Sequence, residues 1–405
     1  MPARVYFDHA STTPVAPEVL EAMLPFFGAR FGDASSVHAR GLQARAAVDE
    51  ARAAVAALLA ASPDEILFTS SATESNNLAL KGLAAASGPK RGHLIATATE
   101  HLAIMHPLRT LERQGFRVTL LPVDRQGLVD PGDLSRALRE DTILVSVAHA
   151  SGEIGTLQPL AELCGIARAR GIPFHCDATL TAGTSEWPAG ADGPDLVTLT
   201  AHLLYGPQGI AALRVRAGLR LLPLIEGGTQ EGGLRAGTEP LAAMVGFGAA
   251  ARLAAKVMAR RDGRARALAQ RLRRALPERL DGLVFTGHPD RRLPGHVSLC
   301  VQGADAEALL HALDAEGIEA ASGSACTTQA RKPSHVLEAL GIDPVTARGA
   351  LAFSLGEMNR DDDPDLAAAA LARVVPRLRA LSPWPLPPEP SSESALNRAD
   401  RTPDR

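Results

Sequence analysis

The chain has 405 residues, of which 46% are hydrophobic and 21% charged, a balance that excludes a mainly disordered protein. Its formal net charge is −3, so we expect neither nucleic acid nor an anionic membrane surface as its main partner. The length favours one large domain with a smaller one beside it.

The chain carries no strong signal for a membrane, a secretory route or a metal. No run of about 18 uncharged apolar residues is present, and the first residues lack the apolar core of a signal peptide, which predicts a cytoplasmic protein. Four cysteines in so long a chain do not form a disulfide framework, and none lies in a CxxC pair, so we expect no metal site. They are Cys164, Cys176, Cys300 and Cys326.

Short apolar runs alternate with longer helical patterns through the first half of the chain. The runs that predict strands are 65–70, 93–97, 117–123, 142–148, 173–179 and 196–200. Between the runs lie amphipathic stretches such as 39–60, whose apolar residues fall on one helical face. This alternation predicts an α/β fold with a mostly parallel sheet, and such sheets bind ligands at the carboxyl ends of their strands.

A long helical pattern from 241 to about 276 leads into a different region. There, apolar runs at 296–301 and 351–355, together with two helical stretches, predict a smaller α+β domain. After Pro383 the chain is rich in proline, serine and charge, which predicts a disordered tail. We therefore predict a large domain over 15–255, a small domain formed by 1–14 and 256–382, and a tail over 383–405.

Seven short motifs follow one another along the chain. They are YFDHASTTP near the start, FTSSATESNNLA at 68–79, TEH at 99–101, HCDAT at 175–179, YGPQG at 205–209, LRAGT at 234–238 and SGSAC at 322–326. In order and spacing they resemble the cysteine desulfurases, within the class V aminotransferase group of pyridoxal-phosphate (PLP) enzymes. The resemblance covers roughly residues 4 to 382. It implies the PLP fold type I, with a seven-stranded-type, mostly parallel sheet in the large domain.

Several polar residues in these motifs are candidates for cofactor binding. The SSATES segment lies between a predicted strand and a predicted helix, where free N–H groups and the Thr73 hydroxyl can hold a phosphate. The same residues are also typical of an ordinary helix N-cap, which is the alternative interpretation. Asp177 follows a buried strand, where a turn aspartate is the common alternative. The resemblance implies that Asp177 pairs with the pyridine nitrogen of PLP and that His101 stacks on its ring.

The resemblance also implies three further phosphate contacts. Thr200 and His202 match two of them on the same chain, and Thr238 matches one that comes from a partner subunit. A contact supplied by a partner implies a homodimer with its sites at the interface.

Cys326 is the candidate catalytic residue. The resemblance implies that its thiol attacks the substrate sulfur and carries it away as a persulfide. The flanking residues are small and polar, which leaves a thiol accessible, and the thiolate is the reactive form. Cys164, Cys176 and Cys300 lie in helical or apolar segments and are interpreted as inert core residues.

Five positions depart from the family's pattern, and we expect all five to lie at the cofactor and substrate pocket. Leu203 stands where the family has the lysine that binds PLP covalently and moves protons, and leucine has no nitrogen for either task. Ala352 replaces the arginine expected to bind the substrate carboxylate. Leu180, Gly152 and Asp33 replace a glutamine, an asparagine and a second asparagine.

Four readings of the function follow. In the main one, the chain is not a desulfurase but a scaffold, or a protein that accepts sulfur or an iron–sulfur cluster through Cys326. Its expected partner is an iron–sulfur scaffold protein or a sulfur-acceptor protein. A second is an enzyme of altered chemistry that holds PLP or pyridoxamine phosphate noncovalently, with His202 or His101 as the base. A third is an active cysteine desulfurase with Lys332 as a replacement amine, and a fourth is a purely structural subunit.

Overall fold

The computed structural model of the chain describes residues 4–88, 91–184, 187, 192–323 and 334–383. Cys326 and Lys332 lie outside these residues, as does nearly all of the predicted tail. The strands are β1 (Val5–Tyr6), β2 (Ile66–Thr69), β3 (His93–Thr97), β4 (Arg117–Leu121), β5 (Thr142–Ser146), β6 (Phe174–Asp177), β7 (Leu196–Thr200), β8 (Ala211–Val215), β9 (Leu283–Phe285), β10 (His296–Val301), β11 (Ile318–Glu319) and β12 (Ala350–Ser354).

Helices lie between most of these strands. They are α1 (Pro17–Met23), α2 (Ala39–Leu58), α3 (Ala72–Asn77), α4 (Leu83–Ala86), α5 (Leu102–Arg113), α6 (Pro131–Ala137), α7 (Leu160–Ala169), α8 (Leu241–Ala275), α9 (Ala306–Ala315), α10 (His335–Ala339), α11 (Pro344–Ala347) and α12 (Asp363–Leu381). A π turn at Leu78–Gly82 joins α3 to α4, so that these three pieces form one continuous helical segment.

Seven strands form the central sheet in the order β2-β8-β7-β6-β5-β3-β4. All neighbouring pairs from β7 to β4 are parallel, and this confirms the predicted α/β fold with a mostly parallel sheet. The exception is β8, which runs antiparallel to both β2 and β7 and was not among the predicted strands. The sheet is therefore mixed.

The remaining strands form two smaller sheets. β12, β10 and β9 make a three-stranded antiparallel sheet, and β1 pairs with β11 in a parallel pair. The β1–β11 pairing attaches the N-terminal residues to the C-terminal third of the chain. This arrangement agrees with the predicted composition of a smaller α+β domain, whose boundaries stay a prediction.

The long helix α8 is the main packing partner of α2. A Cβ atom at Gly248 would lie 2.6 Å from the Ala51 Cα, so the two helices approach at a point that only glycine permits. α8 also contains an 18-residue window of mean hydropathy 1.4, of which 56% is buried inside the fold. The core helix of a globular protein can have the same length and hydropathy as a membrane-spanning helix. The length and hydropathy of α8 therefore do not indicate that it spans a membrane.

Candidate active site

A cavity of about 460 Å³ lies at the carboxyl ends of the parallel strands, opposite β12. It brings together five of the cofactor-binding residues predicted from sequence. They are Thr73, His101, Asp177, Thr200 and His202. Because these residues come from separate loops and strand ends, the fold itself assembles the site.

Asp177 ends β6 and is only 8% exposed. Asn76 donates its Nδ2 hydrogen to Asp177 Oδ2 at 2.7 Å, and the Thr179 amide donates to Oδ1 at 3.1 Å. Two donors therefore fix the orientation of the carboxylate at the cavity wall. A buried carboxylate held in this way can bind a protonated ring nitrogen with a charge-assisted hydrogen bond.

The N-terminal end of the α3 segment borders the same cavity. Ser71 is its N-cap and accepts a hydrogen bond from the Glu74 amide at 3.1 Å, and Thr73 lies exposed in the first turn. A helix N-terminus carries partial positive charge and free N–H groups, both of which favour a phosphate.

A short helical turn after β7, Ala201–Leu203, presents the next site residues. Thr200 is 2% exposed, and the ring of His202 approaches the Thr12 hydroxyl at 3.3 Å. Burial lowers the pKa of His202, so that its imidazole is neutral at neutral pH. Two residues after this turn lies Tyr205, whose left-handed backbone (φ 60°) is an uncommon conformation for a residue with a side chain.

Leu203, the last residue of this turn, lines the cavity and is partly buried. Lys81 and Lys256 are the lysines within the described residues, and neither of them lines the cavity. The part of the chain that the structure describes therefore offers no lysine amine to a bound cofactor.

Leu180, Gly152 and Ala352 line the same cavity, so four of the five departures from the family's pattern meet at one site. A Cβ atom at Gly152 would lie 3.3 Å from the Leu180 Cδ1, which means that Leu180 occupies space next to an absent side chain. A side chain larger than that of glycine at residue 152 would therefore press against Leu180. Ala352 is 5% exposed in β12 and contributes only a methyl group.

The cavity contains polar groups that the sequence did not single out. Glu100 is fully buried, and its carboxylate accepts from Thr97 Oγ1 at 2.8 Å and from the Ala148 amide at 3.0 Å. Burial raises the pKa of Glu100 to about 7, and the nearby charge of Asp177 adds to the shift. Asn76 was missed because its partner Asp177 is 101 residues away, although its place three residues after Thr73 in the phosphate motif was a usable signal.

Glu153 is a second buried carboxyl group in the cavity wall. It accepts a hydrogen bond from the Ser334 hydroxyl, and burial raises its pKa to about 7. Its backbone also packs against Gly323, since a Cβ there would lie 3.4 Å from the Glu153 Cα. Glu153 thus contacts the chain on both sides of the segment that contains Cys326.

Other predicted residues lie away from the cavity. Asp33 is partly exposed, and hydrogen bonds from Ser35 lower its pKa. Thr238 is exposed on its own chain, and its assignment to a partner's site stays a prediction.

Cys164, Cys176 and Cys300 are buried, and burial raises the pKa of each thiol, which agrees with their interpretation as core residues. Within the described ranges, no three His, Cys, Asp or Glu residues cluster as metal ligands do.

The mostly parallel α/β sheet, with a helix N-terminus and a buried aspartate at one cavity, agrees with the family comparison. The aminotransferase class-V model matches residues 5–365, and the chain belongs to this family. Within it, the chain groups with the cysteine desulfurases.

The relatives support this placement. The chain is 42% identical to "Cysteine desulfurase IscS" of Dictyoglomus turgidum, over 95% of this chain and 98% of that protein. It is 43% identical to "Cysteine desulfurase IscS 1" of Archaeoglobus fulgidus, over 93% and 98% respectively. Among solved structures, a "NIFS-LIKE PROTEIN" superposes with a TM-score of 0.87 at 32% identity, covering 93% of this chain and 100% of that one. The fold is thus that of the PLP fold type I proteins.

PLP is the cofactor expected of this family, and the residues of the cavity fit it in part. The fixed carboxylate of Asp177 suits the ring nitrogen, and the end of the α3 segment, with Thr73 and Thr200, suits the phosphate. Residue 203 is the point of disagreement because a leucine cannot bind the cofactor covalently.

We expect Asp177→Ala to weaken PLP binding at least about tenfold, since a hydrogen bond to a charged group contributes about 1.5–3 kcal/mol. Titration of the purified chain with PLP, followed by absorbance, measures the change. Asp33→Ala is the matched control, because Asp33 is a partly exposed acid outside the cavity. An equal loss in both variants would contradict the role assigned to Asp177.

Proposed function

We propose that this chain transfers sulfur from L-cysteine to Cys326 and holds PLP without a covalent bond. In the net reaction the Cβ–S bond of cysteine breaks, an S–S bond forms at Cys326, and the carbon skeleton leaves as alanine. The observation that carries this proposal is a cavity lined by Asp177 and the other residues predicted to contact the ring and the phosphate, while residue 203 is Leu. The cysteine desulfurase names of the relatives support the choice of substrate.

Each residue of the cavity has a task in this proposal. PLP, when bound, supplies an aldehyde for the substrate amine and an electron sink for the breaking bonds. Asp177 holds the proton on the ring nitrogen, and Asn76 keeps the Asp177 carboxylate in place. His101 covers the ring. The neutral imidazole of His202 accepts the proton that the family's lysine would otherwise take.

We further propose a cytoplasmic homodimer in which Thr238 reaches the partner's phosphate site. The persulfide on Cys326 would then pass to a sulfur-acceptor protein or an iron–sulfur scaffold. A thiolate attacks a sulfur–sulfur bond readily, so this transfer needs no further cofactor.

A scaffold or acceptor without turnover is the second candidate. It is favoured by the apolar wall that Leu203 and Leu180 share and by the methyl group of Ala352 where a carboxylate needs a cation. In that case Cys326 receives sulfur from another protein and the cavity binds no cysteine.

One experiment separates these candidates. The purified chain, with and without added PLP, is given L-cysteine, and we expect PLP-dependent alanine together with a sulfur adduct on Cys326 by mass spectrometry. Cys326→Ser removes the adduct, and Lys332→Ala tests the replacement amine, for which we expect no change. Absence of alanine with PLP present would leave the acceptor role, which is then tested with a sulfur donor protein.

A further inference from the structure

A second cavity, of about 430 Å³, shares a wall with the PLP cavity. Six residues line both cavities, Leu180 and Leu203 among them, and so form the wall that the two cavities share. The second cavity also borders α8 and the chain next to β10 and β12. The ligand that we assign to this cavity below is independent of the sulfur-transfer proposal.

The inner wall of the second cavity is apolar. Besides the two leucines of the shared wall, Leu204, Leu293 and Leu355 line it, and each is less than a tenth exposed. Such a wall favours an aliphatic chain because burial removes apolar surface from water.

The mouth of the second cavity is cationic. Arg260, Arg261 and Arg264 of α8 line it, against the two acids Asp262 and Glu357. Arg261 forms an ion pair with both carboxylate oxygens of Glu357, at 2.7 and 2.9 Å. Its guanidinium also lies 4.4 Å from the centre of the Tyr205 ring.

Arg260 and Arg264 are freer to bind a ligand. They lie one helical turn apart on the same face of α8, with side chains 75% and 50% exposed. Their ion pairs are long, 3.4 Å from Arg260 to Glu357 and 3.3 Å from Arg264 to Asp361, and Arg264 also donates to the Asn359 carbonyl at 2.8 Å. Two neighbouring guanidinium groups of this kind suit a carboxylate.

A polar notch adjoins this mouth. His9 is 8% exposed; its Nδ1 hydrogen bonds to the Ser354 carbonyl at 3.0 Å, and its Nε2 is buried without a partner among the described residues. The Tyr205 hydroxyl accepts from the Glu357 amide at 2.8 Å and can donate its own hydrogen. A Cβ at Gly356 would lie 2.7 Å from His9 Nε2 and 2.5 Å from the Tyr205 oxygen, so these two polar groups approach the backbone at a point where only glycine fits.

We propose that the second cavity binds an aliphatic hydroxycarboxylate. Arg260 and Arg264 bind the carboxylate, and the leucines contact the chain. The notch takes the hydroxyl, which is the group that can donate to His9 and accept from Tyr205 at once. The cavity is therefore a small-molecule site that adjoins the cavity proposed for PLP.

Calorimetric titration of the full chain with β-hydroxydecanoate tests the proposal. We expect saturable binding that weakens at least about tenfold in the double variant Arg260→Gln/Arg264→Gln. Arg252→Gln, an exposed arginine on the same helix that does not line this cavity, is the matched control. No binding, or equal binding by the double variant and the control, would overturn the site.

Decanoate tests the notch. We expect it to bind about tenfold more weakly than β-hydroxydecanoate, since it leaves His9 without a donor. Gly356→Ala fills the notch and should remove this difference while decanoate still binds. Equal affinities for the two compounds in the unmodified chain would overturn the assignment of the hydroxyl.

Discussion

Leu203→Lys is expected to give the chain a covalent bond to PLP. The side chain of residue 203 already lines the cavity beside His202 and Asp177, so a longer side chain from the same turn reaches the same space. Leu180 in the adjoining wall makes the surroundings apolar, which lowers the pKa of an introduced amine and favours its reactive neutral form.

The covalent bond has a direct readout. PLP should remain with Leu203→Lys through gel filtration, and borohydride should fix it as a permanent mass increase on the peptide that contains residue 203. The unmodified chain should show no such increase. Leu204→Lys is the matched control, because the same amine placed one residue later, at a position that does not line the PLP cavity, should not be trapped. Trapping in the unmodified chain would instead point to Lys332.

Turnover should change as well. A positioned acid–base group contributes about 10²–10⁴-fold to a rate, so we expect alanine formation by Leu203→Lys to exceed that of the unmodified chain by at least about a hundredfold. The KM for cysteine should stay high until Ala352→Arg is added, because the substrate carboxylate still lacks a cation. If Leu203→Lys binds PLP covalently without any turnover, the other substitutions in the cavity also prevent the reaction.

Much of the fold was readable from local patterns. All six predicted strands are present, and the helix predicted over 39–60 is α2, Ala39–Leu58. β8, Ala211–Val215, was missed because it contains two alanines and an arginine, which are less typical of strands than β-branched or aromatic residues. Its direction is set by pairing with β2 and β7, which lie far from one another in sequence.

The candidate site could be predicted in its members but not in its contacts. The motifs pointed to Thr73, His101, Asp177, Thr200 and His202, and all five line one cavity. The contact between Gly152 and Leu180 was not foreseeable, since each appeared in the sequence as a separate loss. Only the folded chain shows that these two positions are in contact and that Asp33 does not line the cavity.

Glu231→Ala is expected to have the largest effect on stability. The Glu231 side chain is 2% exposed and accepts hydrogen bonds from Arg52 at 2.6 and 2.8 Å and from the Phe68 amide at 2.8 Å. β2, which contains Phe68, is an edge strand, so Glu231 satisfies an amide that has no neighbouring strand on that side. The same carboxylate therefore anchors α2 and the strand that leads into the phosphate motif.

Removal of Glu231 leaves a largely buried guanidinium and a strand amide without their acceptor, which typically costs about 3–5 kcal/mol. Urea denaturation of the PLP-free chain, followed by circular dichroism, measures the free energy of unfolding. Glu278→Ala is the control. Its carboxylate is 72% exposed and lies 4.0 Å from Arg279, and an exposed pair of this kind contributes about 0–1 kcal/mol.

The double variant Arg52→Met/Glu231→Leu separates charge from packing. It removes both charges at once, so we expect it to recover part of the stability that Glu231→Ala loses. If the double variant is less stable than Glu231→Ala, the remaining contacts of Arg52 with the Ile66 carbonyl, at 2.5 Å, and with the Phe68 ring matter more than its charge. If Glu231→Ala and Glu278→Ala lose the same small amount, Glu231 does not anchor the edge strand.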